Sequence, residues 1–275
     1  MSFQMTDENI VNKAWIERTS LSSKTIAPEY RDCINRILSS LDNGYLRLAE
    51  FVSGEWITHE WLKKAIVLSF RTQTMKLYEN GVFRYFDMCK LKFSDFDEND
   101  FYESKCRVVP GAIVRFGSYV APSVILMPCF VNVGCYVDKG TMIDIGAVLG
   151  GGAQIGKNCH ISANSVIGGV LEPIQDRPVI IEDDVLIGAG SVIAEGIIVK
   201  RGSVVGAGVC ISASTRIVNR DTGSISYGVV PEYSVVVPGS CKDKGGCSIS
   251  CAVIVKTVDD GTRKKIVFSE LLRDE

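Results

Sequence analysis

The sequence has few histidines and no C-x-x-C cysteine pair. Its two histidines are His59 and His160, and no two of its cysteines are spaced as C-x-x-C. Zinc sites are usually built from three histidines or from short-spaced cysteine and histidine pairs, so no metal site is expected. The N-terminal segment MSFQMTDENIVNKAW lacks the basic start and apolar stretch of a secretory signal. We therefore expect a cytoplasmic protein.

Strong charge of either sign and long apolar runs are also missing. The formal net charge is -2 and no apolar run reaches the roughly 18 residues of a membrane span, so neither a nucleic-acid nor a membrane partner is expected. Ten cysteines in a chain without a secretory signal are expected to be reduced and structural. With 46% hydrophobic residues, the 275-residue chain can bury a sizeable core.

Aliphatic residues recur at every sixth position over the middle of the chain. A small residue often stands two positions earlier, as at Cys135, Thr141 and Ala147. This period fits short strands separated by tight corners and stacked as a parallel solenoid, with the aliphatic residues pointing inward. The period alone does not fix the hand of the coil. The repeat positions, aliphatic except for Tyr119, are Ile113, Tyr119, Ile125, Val131, Val137, Ile143, Leu149, Ile155, Ile161 and Ile167, then Ile181, Ile187, Ile193, Val199, Val205, Ile211 and Ile217.

The flanks of the repeat differ from it. Residues 1–106 show helical spacing near 26–41 and 60–70, with Thr58 as an expected N-cap, and predict an α-rich domain. The β-helix is predicted over 107–240, with excursions near 170–179 and 218–228 where loops can carry function. Residues 241–275 are predicted to form a strand and helix cap. Its strands are expected in CAVIVKTVDD, and a short terminal helix in KKIVFSELL.

Several motifs resemble the tetrahydrodipicolinate N-succinyltransferases, a family of hexapeptide-repeat acyltransferases, over nearly the whole chain. The motifs are GEWITHEWLKKAIVLSFR (54–71), RYFD (84–87), CRVVPGAIVR (106–115), VDKGTMID (137–144), IGKNCHIS, IGGVLEP, STRIVNRDTG and CAVIVK. The resemblance implies a left-handed β-helix and a homotrimer with active sites between subunits. It also implies transfer of a succinyl group from succinyl-CoA to the amine of 2-amino-6-oxopimelate, in diaminopimelate and lysine biosynthesis.

Asp144 is the candidate general base, because aminolysis of a thioester needs an acceptor for the proton of the amine. It follows inward-pointing Ile143, so its side chain should face outward, and it matches an acidic substrate-contacting position of the family. Asp138, one hexad earlier, should matter less. Arg107 matches the family's substrate-binding arginine, and a guanidinium suits a dicarboxylate. Arg216 and Arg220, beside the second excursion, are weaker candidates for binding a substrate or succinyl carboxylate.

Coenzyme A is expected to lie along a coil wall of small residues, with Ala189, Gly190, Ala207 and Gly208 as contacts. Histidine is the base in other hexapeptide acyltransferases, but the resemblance assigns the amine chemistry to carboxylates. His160 is therefore interpreted as structural.

Two features leave alternatives open. Val192 stands where many family members have a second acidic residue, and Glu195 is its possible substitute. The segments 143–160 and 181–193 resemble the related N-acetyltransferase branch. Acetyl transfer from acetyl-CoA and a non-catalytic hexapeptide scaffold therefore remain alternatives to succinyl transfer.

Overall fold

Three stacks of short parallel strands form the middle of the chain. The computed structural model describes residues 2–80, 83–169, 171, 172, 174 and 177–259. Sheet 1 contains Arg107–Val108, Ile125–Leu126, Met142–Ile143, His160–Ile161, Leu186–Ile187, Val204–Val205 and Ser234–Lys242. Sheet 2 contains Ile113–Val114, Phe130–Val131, Val148–Leu149, Val166–Ile167, Val192–Ile193 and Cys210–Ile211. Sheet 3 contains Tyr119–Val120, Tyr136–Val137, Gln154–Ile155, Ile180–Ile181, Ile198–Val199 and Val229–Val230.

Each coil stacks directly on the next. In sheet 3, Val137 pairs with Ile155, which pairs with Ile181 in turn. Neighbouring strands of a sheet lie about 4.8 Å apart, so one coil adds roughly that rise. From Ile113–Val114 onward, the second residue of each two-residue strand of the three sheets points inward and is almost fully buried. Small hydroxyl residues line the turns inside; Thr141 Oγ1, for example, donates to Gly156 O at 2.7 Å. The repeat therefore builds a continuous aliphatic core.

The first coil is offset from the predicted frame. The inward residues there are Val114, Val120 and Leu126, whereas Ile113, predicted to point inward, is 42% exposed. Leu126 and Val131 are five residues apart, so the turn between them is one residue shorter than the others. Pairing with the next coil sets which side a strand residue faces. Because the turn is shorter, the inward positions before it stand one residue later than the six-residue spacing from Val131 predicts.

Helices and two hairpins precede the coil. The helices are α1 (Ser2–Ile16), α2 (Pro28–Asp42), α3 (Glu60–Thr72) and α4 (Glu98–Ser104), and the hairpins are Ala49–Val52 with Glu55–Thr58 and Lys76–Asn80 with Phe83–Asp87. The predicted helices near 26–41 and 60–70 are confirmed. Thr58 is not the N-cap of α3, because it ends a strand and His59 takes the cap position. None of the helices in the described residues is long and apolar enough to cross a membrane.

The N-terminal elements cover sheet 3. Ala49 packs with Ile180 and Ile198, whose side chains are on the outer face of this sheet. Lys63 of α3 is fully buried and its Nζ donates to Ile174 O at 2.8 Å, which holds the described part of the first excursion against the helices. The outer face of sheet 3 is thus buried, in part, against the N-terminal elements.

A hairpin extends sheet 1 at the C-terminal end. Ser234–Lys242 pairs with Val204–Val205 and then, antiparallel, with Ser248–Thr257. Ile217–Asn219 pairs with Ser248–Thr257 and Ile225–Ser226, so the second excursion is itself a small hairpin. The predicted terminal helix in KKIVFSELL lies outside the described residues.

Candidate active site

The turns that lead from sheet 1 to sheet 2 stack into an exposed ridge, which we call the first corner. From Asp144 onward its turns are residues 144–146, 162–164, 188–190 and 206–208. Backbone hydrogen bonds join them from coil to coil, such as Gly190 N to Ala163 O at 2.9 Å and Gly208 N to Ala189 O at 3.0 Å. The first corner therefore brings Asp144 and all four predicted coenzyme A contacts onto one ridge.

Asp144 opens the first turn of this ridge. Its side chain is 24% exposed and its Oδ1 accepts a hydrogen bond from Ile145 N at 2.7 Å. The backbone bond fixes one carboxylate oxygen and directs the other toward the outer face of sheet 1. The predicted outward orientation is thus observed.

His160 contacts Asp144. Its Nε2 lies 3.3 Å from Asp144 Oδ2, since His160 pairs with Met142 in sheet 1 and so stands one coil after Asp144. Burial lowers the pKa of His160 below its usual value of 6.5, although the hydrogen bond with Asp144 opposes this shift. The imidazole is therefore neutral at pH 7. The contact was not predicted from the sequence, although the 18-residue coil length between Met142 and His160 could have indicated it.

The predicted coenzyme A contacts are exposed backbone with little side chain. Gly190 and Gly208 have φ of +67° and +70°, and a Cβ on either would meet nothing within 4 Å. Gly188 differs, because its Cβ would lie 2.5 Å from Ala207 N of the next coil. The amides of Ala189 and Ala207 donate no hydrogen bond to any described residue. The ridge thus offers two backbone N–H donors, those of Ala189 and Ala207, that the described residues do not use.

Arg107 lies on the same sheet as His160. Its strand pairs with Ile125–Leu126, which pairs with Met142–Ile143, so two coil steps, about 10 Å, separate Arg107 from Met142. Its side chain is exposed and its guanidinium has no hydrogen bond or ion pair with the described residues.

Arg216 is engaged within the chain. Its Nη2 lies 2.7 Å from Asp243 Oδ1 and its Nη1 lies 3.3 Å from Cys241 Sγ. The hydrogen bond with Asp243 raises the pKa of Arg216 and lowers that of Asp243. Arg220 donates to Val255 O at 2.7 Å. These contacts stabilise the position of the C-terminal hairpin. Both arginines therefore have a structural role in addition to the predicted binding of a carboxylate.

Val192 begins the strand that follows the first-corner turn 188–190, and Glu195 lies beyond that strand, at the next corner. Val192 is on the outer face of sheet 2, between Val166 and Cys210. Glu195 is in the turn from sheet 2 to sheet 3, where its Oε2 accepts from Ala213 N at 3.0 Å. Within one chain Glu195 therefore does not take the place of a second acidic residue beside Asp144.

The buried cysteines of the coil are protonated thiols. Burial raises the pKa of Cys135 and of Cys159 to about 12, so these thiols stay protonated core fillers. In the part of the chain that the structure describes, no group of three histidine, cysteine or acidic side chains is placed to hold a metal ion.

Family models match three segments. The model for the tetrahydrodipicolinate N-succinyltransferase N-terminal region matches residues 7–72, the bacterial transferase hexapeptide model matches 134–169, and the hexapeptide repeat of succinyl-transferase matches 178–213. Together with the three stacked parallel sheets, these matches confirm the predicted left-handed parallel β-helix with its α-rich N-terminal region.

Relatives resemble the chain over its whole length. The 2,3,4,5-tetrahydropyridine-2,6-dicarboxylate N-succinyltransferase of Proteus mirabilis is 49% identical over 267 residues, 97% of each chain. That of Chromobacterium violaceum is 48% identical over 97% of this chain and 98% of its own.

Solved structures show weaker similarity. A Campylobacter jejuni chain described as a 2,3,4,5-tetrahydropyridine-2-carboxylate N-succinyltransferase is 16% identical with a TM-score of 0.48, covering 86% of this chain and 64% of that chain. A Bacillus cereus N-acyltransferase solved with coenzyme A is 14% identical with a TM-score of 0.33, covering 62% of this chain and 94% of that chain.

Proposed function

Because the chain belongs to the 2,3,4,5-tetrahydropyridine-2,6-dicarboxylate N-succinyltransferase family, we propose that it succinylates the amine of 2-amino-6-oxopimelate, the ring-opened form of that dicarboxylate. It is an acyltransferase, and the reaction is a step of lysine and diaminopimelate biosynthesis. We further propose succinyl-CoA as the donor. The observation that carries the proposal is the resemblance over 97% of the chain, combined with a carboxylate and an exposed backbone ridge on the same corner.

Asp144 acts as the general base in this proposal. The amine nitrogen attacks the thioester carbonyl carbon and gives its proton to the carboxylate. The tetrahedral intermediate then collapses, the C–S bond breaks, and coenzyme A leaves as the thiol after taking up a proton. Neutral His160, 3.3 Å away, holds the Oδ2 oxygen of Asp144 without adding a positive charge that would weaken the base.

Substrate and donor approach from opposite directions along the coil. Arg107, with no partner among the described residues, binds a carboxylate of the acceptor on sheet 1. The pantetheine arm lies along Ala189, Gly190, Ala207 and Gly208, where its amide carbonyls accept from the backbone N–H groups of Ala189 and Ala207. A bulky side chain on this ridge would block it.

A homotrimer with active sites between subunits completes the proposal. Exposed aliphatic side chains on the outer face of sheet 2 support the homotrimer, because such side chains are typical of a face that another subunit covers. Ile113 is 42% exposed and Val166 is 36% exposed. A neighbouring subunit covering this face would bring further groups to the first corner. Sedimentation equilibrium should give three times the 30.0 kDa chain mass, and a monomer would remove this part of the proposal.

Release of free thiol tests the reaction. Purified protein with succinyl-CoA and the acceptor should release one thiol per molecule of N-succinyl product, and kcat/KM should be higher for succinyl-CoA than for acetyl-CoA. A higher kcat/KM for acetyl-CoA would show that acetyl-CoA is the donor, and the proposed site would remain the same. No turnover with either thioester, by a folded protein, would contradict the proposal.

A further inference from the structure

A second cleft, of about 280 Å³, lies at the turns that lead from sheet 3 to sheet 1. We call these turns the third corner; they are residues 138–140, 156–158, 182–184 and 200–202. The N-terminal hairpin of Ala49–Val52 and Glu55–Thr58 forms the other wall through Phe51 and Trp56. The first corner is on the opposite edge of sheet 1, so this cleft is separate from the proposed active site.

Arg47 is held in the cleft by a buried glutamine. Gln154 is fully buried, and its amide nitrogen donates to Gly152 O at 2.8 Å, which turns its Oε1 toward Arg47. Arg47 Nε donates to that Oε1 at 2.8 Å. The guanidinium lies over the ring of Tyr136, 3.9 Å from its centre, and 5.3 Å from the ring centre of Trp56. Burial lowers the pKa of Arg47.

The rest of the guanidinium is unused by the described residues. No carboxylate of the described residues lies within 4.0 Å of it, and Nη1 and Nη2 make no hydrogen bond to them. A guanidinium that is partly desolvated and fixed at Nε presents two parallel donors, which is the arrangement that binds a carboxylate. Stacking on an aromatic ring does not supply the hydrogen bonds that these donors lose with water.

Two carboxylates in the same cleft have one unused oxygen each. Asp138 Oδ1 accepts from Lys139 N at 2.7 Å and Asp183 Oδ1 accepts from Lys157 N at 2.8 Å. Neither Oδ2 has a partner among the described residues. Both carboxylates interact electrostatically with Arg47 without pairing with it. The lining of the cleft therefore presents both unused donors and unused acceptors, which is the complement of a zwitterion.

We propose that this cleft binds a free α-amino acid. Its carboxylate is bound by Nη1 and Nη2 of Arg47, its ammonium lies between Asp138 and Asp183, and its side chain runs along Phe51 and Trp56. A volume of about 280 Å³ is at the lower end of the range for ligand pockets and suits a molecule of this size. The site does not depend on the acyl transfer reaction at the first corner.

Calorimetric titration of the full chain without coenzyme A tests the proposal. L-norleucine should bind, whereas hexanoate, which lacks the amine, and pentylamine, which lacks the carboxylate, should bind at least roughly tenfold more weakly. Equal binding of the three compounds, or no binding of L-norleucine up to about 20 mM, would overturn the proposal.

Variants assign the binding to the cleft. Arg47→Gln should weaken L-norleucine binding at least roughly tenfold. Arg18→Gln is the control, because Arg18 also lies over a tryptophan ring, at 4.6 Å from the centre of Trp15, but outside the cleft. Asp183→Asn keeps an oxygen for the bond from Lys157 N and should weaken binding without changing the unfolding midpoint. Unchanged affinity in both Arg47→Gln and Asp183→Asn would contradict the assignment.

Discussion

The first and third corners are built from the same six-residue repeat, yet they differ in nearly every side chain. At the first corner the turns 188–190 and 206–208 end in alanine and glycine, and the backbone is exposed. At the third corner the turns carry Asp138, Glu182, Asp183 and Arg201, and the N-terminal hairpin packs beside them. The repeat thus specifies the coil, whereas the outward residues of each corner decide what it can bind. The experiments below test this difference.

Replacement of the proposed base should have the largest effect. Asp144→Asn keeps an oxygen for the bond from Ile145 N but removes the proton acceptor, so kcat should fall by roughly 100-fold or more. The melting temperature should not change. Glu195→Gln is the matched control, because that acid lies in a different corner and bonds to Ala213 N. Turnover by Asp144→Asn close to that of the unmodified protein would remove Asp144 from this role.

The two candidate arginines should behave differently. Arg107→Gln should raise KM for the dicarboxylate by roughly 10- to 100-fold at constant melting temperature, because its guanidinium has no partner among the described residues. Arg216→Gln should lower the melting temperature, since it breaks the contact with Asp243. Steady-state kinetics and thermal unfolding of both variants check this. A lower melting temperature for Arg107→Gln with an unchanged KM would contradict the distinction.

A large side chain on the exposed ridge should hinder the donor. Ala207→Trp should raise KM for the acyl-CoA by roughly tenfold, because the indole would occupy the path of the pantetheine arm. Ala213→Trp, at an exposed alanine of another corner, is the control and should leave KM unchanged. Equal KM values for the two variants would show that coenzyme A does not follow the first corner.

The smallest effect is expected from His160 and concerns pH. Its pKa in the folded protein is lowered, so the unfolded chain binds more protons than the folded one at acidic pH. The free energy of unfolding should therefore fall as pH drops below about 6.5, until pH passes below the lowered folded value. His160→Gln should remove this part of the pH dependence and reduce kcat only a few-fold. Denaturant unfolding of the unmodified protein and of His160→Gln from pH 8 to pH 5 measures this difference. The same pH dependence of the free energy of unfolding in both proteins would contradict the role given to burial of His160.

Much of the scaffold could be predicted because the six-residue repeat arises from one physical requirement, an inward aliphatic residue on every strand. The later coils, from Val131 to Ile211, follow it without exception. The first coil also has inward aliphatic residues, but they stand one position later than the predicted frame, since the turn between Leu126 and Val131 is one residue short and nothing in the local pattern marks it. Asp144 was predictable from its place after an inward residue.

Contacts between distant segments could not be predicted in the same way. The bond of Gln154 to Arg47 joins residues 107 positions apart, and that of Lys63 to Ile174 joins residues 111 apart. Neither follows from hexad spacing, because both depend on how the N-terminal elements pack on sheet 3. The link of His160 to Asp144 was within reach, since it needs only the 18-residue coil length.

Hydrogen–deuterium exchange with and without coenzyme A tests most directly whether the first corner is the donor site. The account predicts slower exchange in peptides that contain the amides of Ala189 and Ala207, and no change in peptides covering residues 198–202 of the third corner. Protection confined to the third-corner peptides, or absent from both corners at saturating coenzyme A, would contradict it.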